Sequence, residues 1–375
     1  MKKKNILIID NSLFVTGAFK SIFYATKTIK DKFNFNYILS THSINDKVLN
    51  REGFNVSNLP FREINRNIFN NILYPFYLIL NSIRLCVYIK KNNIDIVHVN
   101  DMYNLTVSIV KLFCKFSLII HIRRMPESFP SILYRFWVFI HIKTADKIIA
   151  VSNANSKAFG NCKNIIVIYN PLPIEEKYPA IKSKVLANKN IINFVYIANY
   201  MKGKGQEHAI RALSKLKENI DKEIKIIFIG GAHGNKNNNK YKEDLKFLAG
   251  ELSLTDNIIF NDFEEDTEKF IKKYDIVLNL SDSESLSRST YEALFYGVPI
   301  IATNVGGTIE MFDDKIKNWV VPPKNIEIIS EKMYEIIYNK EIVELFDNNK
   351  YKLREKFNED KTINELIHVY NTITI

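Results

Sequence analysis

Short, continuous runs of Ile, Val and Leu alternate with longer amphipathic stretches, and this alternation occurs twice along the 375 residues. Apolar runs of this length are typical of parallel strands that are buried on both faces. The predicted strands are 5–9, 37–40, 94–99, 118–122, 147–151 and 165–168, and then 191–197, 224–229, 257–260, 276–280 and 299–302. Two such series predict an α/β protein with two doubly wound, Rossmann-like domains.

The domain boundaries follow from where the pattern stops and restarts. A stretch rich in Lys, Pro and Asn near 175–190 separates the two series, which predicts a first domain at 1–180 and a second at 186–350. The segment 341–375 is charged and helical in pattern, without a further strand signal, and 351–375 is predicted as a C-terminal helix. Ligands of such sheets bind at the carboxyl ends of the strands, so we expect the functional residues just after them.

Positive charge is concentrated in the first half of the chain. Residues 1–185 carry 26 Lys and Arg against 11 Asp and Glu, a net of +15, whereas residues 186–375 carry 26 against 30, a net of −4, which together give +11. A basic first half indicates an anionic partner, which could be a membrane surface, a phosphorylated lipid or a nucleic acid. The chain lacks clustered basic and aromatic motifs, and this disfavours a nucleic-acid-binding protein.

The apolar segments do not predict a membrane span. The run that ends near Ile9 is too short for a signal peptide, and the window 72–89 contains Asn81, Ser82 and Arg84, which favours an amphipathic or core helix. The helix predicted at 131–142 is rich in aromatic residues and suits either a core or a membrane surface. Three widely spaced cysteines indicate free thiols in a reducing cytoplasm.

Two glutamates follow the predicted strand 276–280. Glu284 would lie in the loop after that strand, and Glu292 would lie about one turn into a helix that begins near Ser287. A helix start presents unpaired N–H groups that suit a phosphate, and carboxylates accept hydrogen bonds from vicinal hydroxyls. The spacing therefore fits a clamp on a phosphate-linked sugar or ribose, although acidic residues are also favoured at helix starts by the dipole alone.

Further candidates follow other strands. Lys204 and Gly205 form a basic, glycine-containing turn after strand 191–197, without the spacing of a P-loop, and Gly306 and Gly307 follow strand 299–302. In the first domain the candidates at strand ends are Gly17, His98, Asp101, His121, Arg123 and Arg124. The sequence has neither a zinc-binding H-E-x-x-H signature nor a Ser-His-Asp nucleophile signature, so we predict no metal site.

Taken in order, these segments resemble the family-4 retaining glycosyltransferases of the GT-B fold, over nearly the whole chain. Glu284 to Glu292 is similar to the family's E-x7-E motif, and Glu292-Ala293 with Gly297 and Pro299 is similar to E-A-x-x-x-G-x-P. The run from Gly306 to Glu310 is similar to G-G-x-x-E. The resemblance implies two Rossmann-like domains that face each other across a cleft, with a C-terminal helix that crosses back to the first domain.

The resemblance also implies roles for individual residues. Sugar would be transferred from a nucleotide diphosphate sugar with retention of configuration and without a metal or other cofactor. Glu292 would bind the ribose, Glu284 would grip the donor sugar at the reacting carbon, and Lys204 would balance the diphosphate. Backbone amides at Arg288 and Ser289 would cradle the phosphates. Further donor-binding candidates are Asn199, Leu286, Ser287 and Gly17, and either His121 or Arg123 would take the place of the family's catalytic first-domain histidine.

The chain departs from the family at several of these positions. Asn199 stands where members commonly have Arg, and we hypothesise that the Arg288 guanidinium replaces that charge. The resemblance implies a glycan or a polyprenyl- or lipid-linked acceptor, a role in capsule, O-antigen or lipopolysaccharide synthesis, and a peripheral position at the anionic inner face of the cell membrane. The enzyme-class alternative is a GT-B nucleotide-sugar epimerase.

Overall fold

The computed structural model describes residues 3–64, 68–160, 162–171, 185–232, 235–264 and 266–373, which belong to two units. The first unit comprises Met1–Pro173 together with Phe357–Ile375, and the second comprises Ile174–Lys356. The boundaries predicted from the sequence were at 180–186 and at 350–351. Much of the predicted linker at 175–190 lies outside the described residues.

The first unit is built around a seven-stranded parallel sheet with the order β3-β2-β1-β4-β5-β6-β7. Its elements run β1 Asn5–Asp10, α1 Gly17–Thr28, β2 Asn34–Ser40, α2 Asn45–Arg51, β3 Asn55–Leu59, α3 Ile68–Lys91, β4 Ile96–Val99, α4 Thr106–Val110, β5 Ser117–Ile122, α5 Ser131–Thr144, β6 Lys147–Ala150, α6 Asn153–Phe159 and β7 Ile165–Val167. Strand order reverses between β1 and β4, so the switch point of this sheet lies at their carboxyl ends.

The second unit contains a six-stranded parallel sheet with the order β10-β9-β8-β11-β12-β13. Its elements run β8 Ile191–Ile197, α7 Gln206–Leu216, β9 Glu223–Ile229, α8 Lys236–Glu251, β10 Ile258–Asn261, α9 Thr267–Lys273, β11 Ile276–Asn279, α10 Arg288–Phe295, β12 Ile300–Thr303, β13 Val320–Val321, α11 Ile326–Tyr338 and α12 Ile342–Lys356. The last helix of the chain, α13 Glu359–Thr372, belongs to the first unit. The switch point here lies between β8 and β11.

Buried side chains alternate between the two faces of the first sheet. On one face, Leu7 and Ile9 pack with residues of α3, α4 and α5, including Leu85 and Trp137. On the other face, Ile6 and Ile8 pack with residues of α1 and α13, among which Tyr370 is fully buried. Because both faces of the strands are covered by helices, the strands read as continuous apolar runs in the sequence.

The predicted doubly wound α/β fold is confirmed, and each predicted strand lies within three residues of an observed one at both ends. Two strands were missed, and both are at sheet edges. β3 has the sequence Asn55-Val56-Ser57-Asn58-Leu59 with only Leu59 buried, so it lacks an apolar run, and β13 is two residues long. The prediction of a single helix at 351–375 is wrong, because the helical conformation is interrupted at Phe357, between α12 and α13.

Candidate active site

The junction between β11 and α10 is held by a buried asparagine. The Asn279 side-chain amide donates hydrogen bonds to the hydroxyls of Ser287, Ser289 (3.2 Å) and Thr290 (3.0 Å). Ser287 is the N-cap of α10, as predicted from the sequence, and its hydroxyl accepts from the Thr290 amide. Since the first N–H groups of a helix lack intrahelical acceptors, the start of α10 offers donors to an anion.

The Lys204 turn after β8 lies against the end of β11. The Tyr196 hydroxyl accepts from the Leu280 amide at 2.7 Å and donates to the Lys204 carbonyl, while the Asp282 amide donates to the Gly203 carbonyl at 2.8 Å. Gly205 has a φ of +76°, and a Cβ built on it would lie 1.9 Å from the Leu280 carbonyl oxygen. Only glycine allows this approach, which brings the turn to the switch point of the sheet.

Glu284 forms an ion pair with Lys204. The Lys204 Nζ lies 2.5 Å from Glu284 Oε1, and the same oxygen accepts from the Ser281 hydroxyl at 2.9 Å. Ser281 is itself buried, and its carbonyl accepts from the Thr303 hydroxyl at 2.6 Å. Two candidates that are 80 residues apart in sequence are therefore brought together at the carboxyl ends of β8 and β11.

Glu292 is 3% exposed, and both of its carboxylate oxygens have partners. Arg288 Nε donates to Oε1 at 2.6 Å, and the Thr267 hydroxyl donates to Oε2 at 2.8 Å. The i,i+4 spacing on α10 brings the arginine to the glutamate. The guanidinium that we expected at a phosphate is thus also the counter-ion of Glu292, a contact that the spacing could have indicated.

Other donor-binding candidates lie close by in the second unit. Asn199 is exposed, and its side-chain oxygen accepts from the Gly231 amide at 3.3 Å. Leu286 is half-buried in the loop before α10. The Gly307 amide donates to the Ser285 carbonyl at 2.9 Å, so the glycine pair holds that loop in place.

The first-unit candidates lie at the carboxyl ends of β1, β4 and β5. Gly17 is the first residue of α1, behind the N-cap Thr16, and a Cβ built on it would meet no atom within 4 Å. Arg123 Nε donates to the Asn100 side-chain oxygen at 2.8 Å, and its Nη1 donates to Asn170. The Asn100 amide in turn donates to Asp10.

Two histidines and a tyrosine form a buried chain beside Arg123. His98 Nδ1 lies 2.8 Å from the Tyr370 hydroxyl, and His98 Nε2 lies 3.1 Å from His121 Nδ1. His121 is 6% exposed, and its Nε2 has no hydrogen-bond partner among the described residues. His98 is thus a satisfied structural histidine, whereas His121 has a free polar atom. Tyr370 is 272 residues from His98, and no sequence signal marked it.

Burial and positive charge keep this pair neutral. Desolvation and the Arg123 guanidinium lower the pKa of His98 to about 3 and hold the pKa of His121 well below its usual range. Burial also lowers the pKa of Arg123 to about 10, against the attraction of Asp101 and Asp10. Arg123 therefore remains charged at neutral pH, while both imidazoles carry one proton each.

Within the described residues, no group of three or more His, Cys, Asp or Glu side chains has a geometry that could hold a metal ion. Each of the two glutamates has a positively charged partner: Lys204 pairs with Glu284, and Arg288 pairs with Glu292.

Known proteins resemble the chain in sequence. Residues 177–353 match the family model of the glycosyl transferases group 1. An uncharacterized glycosyltransferase of Methanocaldococcus jannaschii is 28% identical over 62% of this chain and 59% of its own length. The N-acetyl-alpha-D-glucosaminyl L-malate synthase of Bacillus anthracis is 22% identical over 84% of both chains. The O-antigen biosynthesis glycosyltransferase WclY of Escherichia coli is 26% identical over 47% of this chain and 45% of its own.

The chain spans only about three-fifths of the length of the uncharacterized glycosyltransferases that it matches in this way. In contrast, similarity of structure extends over the whole chain. The crystal structure of HepE from Anabaena in complex with UDP superimposes with a TM-score of 0.80, at 19% identity, over 98% of this chain and 100% of that one. Residues 177–353 of the second unit are therefore similar to the glycosyl transferases group 1, and the chain as a whole has the GT-B fold.

Proposed function

We propose that this protein is a family-4 retaining glycosyltransferase of the hexosyltransferase type. It moves a sugar from a nucleotide diphosphate sugar to a glycan or lipid-linked acceptor in surface polysaccharide biosynthesis. The observation that carries this proposal is the convergence of Lys204, Glu284, Glu292 and the start of α10 at the switch point of the second sheet. The UDP complex of HepE and the O-antigen role of WclY are consistent with it.

The geometry supports a different role for each of these groups, each binding one part of the donor. Glu292 binds the ribose hydroxyls, the N–H groups of Arg288 and Ser289 take the diphosphate, and Glu284 binds the sugar. The bond between the anomeric carbon and the diphosphate breaks, and the acceptor oxygen bonds to that carbon on the same face. The acceptor proton passes to the departing phosphate. Lys204 and the helix amides stabilise the charge that develops on this leaving group, and the proposal needs no metal.

A panel of UDP-, GDP- and ADP-sugars tests the proposal through thermal stabilisation, because a bound donor raises the Tm. We expect one nucleotide class to stabilise the protein and its sugar to be transferred to an acceptor extract with the α or β configuration unchanged, read by NMR. Epimerised or hydrolysed donor without any transfer would favour the nucleotide-sugar epimerase. The absence of stabilisation by every nucleotide would contradict the proposal.

Arg288 provides a specific prediction about the donor site. Its side chain is 39% exposed, so its guanidinium can bind a phosphate as well as Glu292. Arg288→Ala should weaken donor affinity about ten- to a hundredfold, since charge-assisted hydrogen bonds contribute about 1.5–3 kcal/mol. Arg288→Lys should restore part of it. Calorimetric titration with the donor gives the affinities, and an unchanged affinity in Arg288→Ala would rule out the phosphate role.

We further propose that the protein binds peripherally to the inner face of the cell membrane, through an exposed apolar surface on the first unit. The exposed apolar side chains of α3 form one stripe along that helix, and those of α5 form a second stripe. Leu112 and Phe113, which follow α4 between these two helices in sequence, are also exposed. We call this surface the apolar face: Phe69, Ile72, Phe76, Ile79, Ile83, Val87, Leu112, Phe113, Ile132, Phe136 and Phe139. α4 packs against both α3 and α5, so the stripes belong to one layer.

The charge around the apolar face suits an anionic bilayer. Residues 68–91, 106–116 and 131–144, which carry the apolar face, contain seven Lys and Arg and no Asp or Glu. Basic residues that flank apolar side chains are typical of helices that lie in a membrane interface.

The helix α3 contributes to the core of the first unit. Over Asn71–Lys91 it is long and apolar enough to cross a membrane by length and composition, in contrast to the sequence-based expectation. However, Leu85 and Ile89 of α3 are buried in the core, and Asn81 donates to the Pro60 carbonyl at 3.1 Å. Spanning a bilayer would remove these residues from the core, so we propose that only the outer stripe enters the lipid.

Vesicle sedimentation tests this surface. We expect the protein to sediment with anionic vesicles, and the double substitution Phe76→Asp and Ile83→Asp to lower the bound fraction at least tenfold, because it replaces apolar side chains that enter the lipid with carboxylates that anionic headgroups repel. The control is Phe247→Asp, which changes an exposed apolar residue of α8 in the second unit. Equal sedimentation of wild type and the double variant would contradict the proposed surface, and equal binding to neutral and anionic vesicles would contradict the electrostatic part.

A further inference from the structure

The hydrogen-bonded series Tyr370, His98 and His121 limits which nitrogen of each imidazole can carry the proton. Each imidazole is neutral, so each carries a single proton, on one of its two nitrogens. His98 Nε2 and His121 Nδ1 face each other at 3.1 Å, and a hydrogen bond between them requires one proton on that pair of atoms. Two arrangements satisfy this requirement, and they differ in the direction in which all three groups donate.

In the first arrangement, Tyr370 donates to His98 Nδ1, His98 Nε2 donates to His121 Nδ1, and His121 carries its proton on Nε2. In the second arrangement every bond is reversed, and the Tyr370 hydroxyl proton then needs an acceptor other than His98. Tyr370 is fully buried, and its hydroxyl has no other partner among the described residues. The first arrangement leaves one buried group without a partner, the His121 Nε2–H, whereas the second leaves two, the Tyr370 hydroxyl proton and the His121 Nε2 lone pair. Because each unsatisfied buried polar group is costly, the first arrangement is favoured.

We infer that Tyr370 and His98 are positioning residues that hold His121 as the Nε2–H tautomer, so that it presents a hydrogen-bond donor to a substrate oxygen. The buried Nε2 of His121, which has no protein partner in the described residues, is the atom that this ligand oxygen would contact. The inference rests on the proposed function for the identity of the ligand, a hydroxyl or phosphate oxygen of a substrate that binds to the first unit.

The C-terminal helix thereby acts on the site without touching substrate. Tyr370 is placed by the packing of α13 against the first sheet, where its ring contacts Phe33 at a centroid distance of 5.3 Å and Phe35 at 6.1 Å. Lys4 Nζ additionally donates to the carbonyls of Tyr370 (2.9 Å) and Ile373 (3.0 Å). These contacts hold the Tyr370 hydroxyl against His98, at the opposite end of the hydrogen-bonded series from His121.

The test is the tautomer of His121, read from long-range ¹H–¹⁵N spectra of the full chain with ¹⁵N-labelled histidine and assigned with His121→Gln. We expect the Nε2–H tautomer in the wild type. Tyr370→Phe removes the donor that sets the direction of the chain, so we expect a mixture of tautomers and a fall in kcat/KM of about tenfold with unchanged affinity for the free nucleotide.

The matched control is Tyr37→Phe. Tyr37 is equally buried in the same cluster, and its hydroxyl bonds to Thr26 rather than to a histidine, so this variant should leave the His121 tautomer unchanged. The Nδ1–H tautomer in the wild type, or an unchanged tautomer and kcat/KM in Tyr370→Phe, would overturn the inference. A wild-type protein that transfers no sugar would refute the proposed function, whereas the spectra would still decide the tautomer.

Discussion

Glu284→Gln is expected to reduce the kcat of sugar transfer by about 10²–10³-fold, the effect of removing one group that stabilises charge in a transition state. Glutamine has the same shape and can still accept from Ser281, so the loop after β11 should keep its conformation. What it loses is the negative charge that pairs with Lys204 at 2.5 Å and that faces the reacting carbon in the proposed mechanism. Initial-rate kinetics with saturating donor measure the change.

The matched control for this substitution is Asp282→Asn, two residues earlier in the same loop. The Asp282 carboxylate pairs with His208 at 2.9 Å and with Lys324 at 3.2 Å, rather than with Lys204. We expect its kcat to change by less than about threefold, as for a partly exposed ion pair. Equal losses in the two variants would mean that Glu284 acts only through the structure of the loop.

Gly205→Ala is expected to destabilise the second unit strongly. The new Cβ would lie 1.9 Å from the Leu280 carbonyl oxygen, and the backbone there has a φ of +76°. The turn or the end of β11 must move, at a cost of about 3 kcal/mol or more in the free energy of unfolding. For a domain of this size we expect a fall in Tm of about 6–12 °C.

Gly203→Ala separates the two causes. Gly203 also has a positive φ, of +87°, but a Cβ at this position meets no atom within 4 Å. It should cost only the conformational strain, about 1 kcal/mol, and lower the Tm by about 2–4 °C. Differential scanning calorimetry compares the variants, and similar transitions for the two would show that the Lys204 turn does not lie against β11 as described.

The strands and the position of the candidate site in the second unit were predictable for the same reason. Strands buried on both faces leave apolar runs, and parallel sheets bring the ends of those runs to one edge, where Lys204 and Glu284 meet. The edge strand β3 was missed because Asn55, Ser57 and Asn58 interrupt its apolar residues, so that no apolar run marks it. Alternating or continuous apolar patterns in a sequence indicate strands because they reflect burial. An edge strand is only partly buried, so its sequence need not show either pattern.

Contacts between distant segments were not predictable. The position of Tyr370 at His98 depends on α13 returning to the first sheet, across the whole second unit in sequence. The window 72–89 was interpreted as an amphipathic or core helix, because composition does not tell which stripe of α3 packs and which is exposed. The Arg288–Glu292 pair, in contrast, follows from i,i+4 spacing and was within reach of the sequence.

Calorimetric titration of the free nucleotide diphosphate into the wild type, Glu292→Gln and Glu284→Gln tests the account most directly. If Glu292 binds the ribose and Glu284 the sugar, the nucleotide affinity should fall at least tenfold in Glu292→Gln and remain within about twofold of the wild type in Glu284→Gln. A nucleotide affinity that is unchanged in Glu292→Gln, or that falls equally in both variants, would contradict the proposed division of the site.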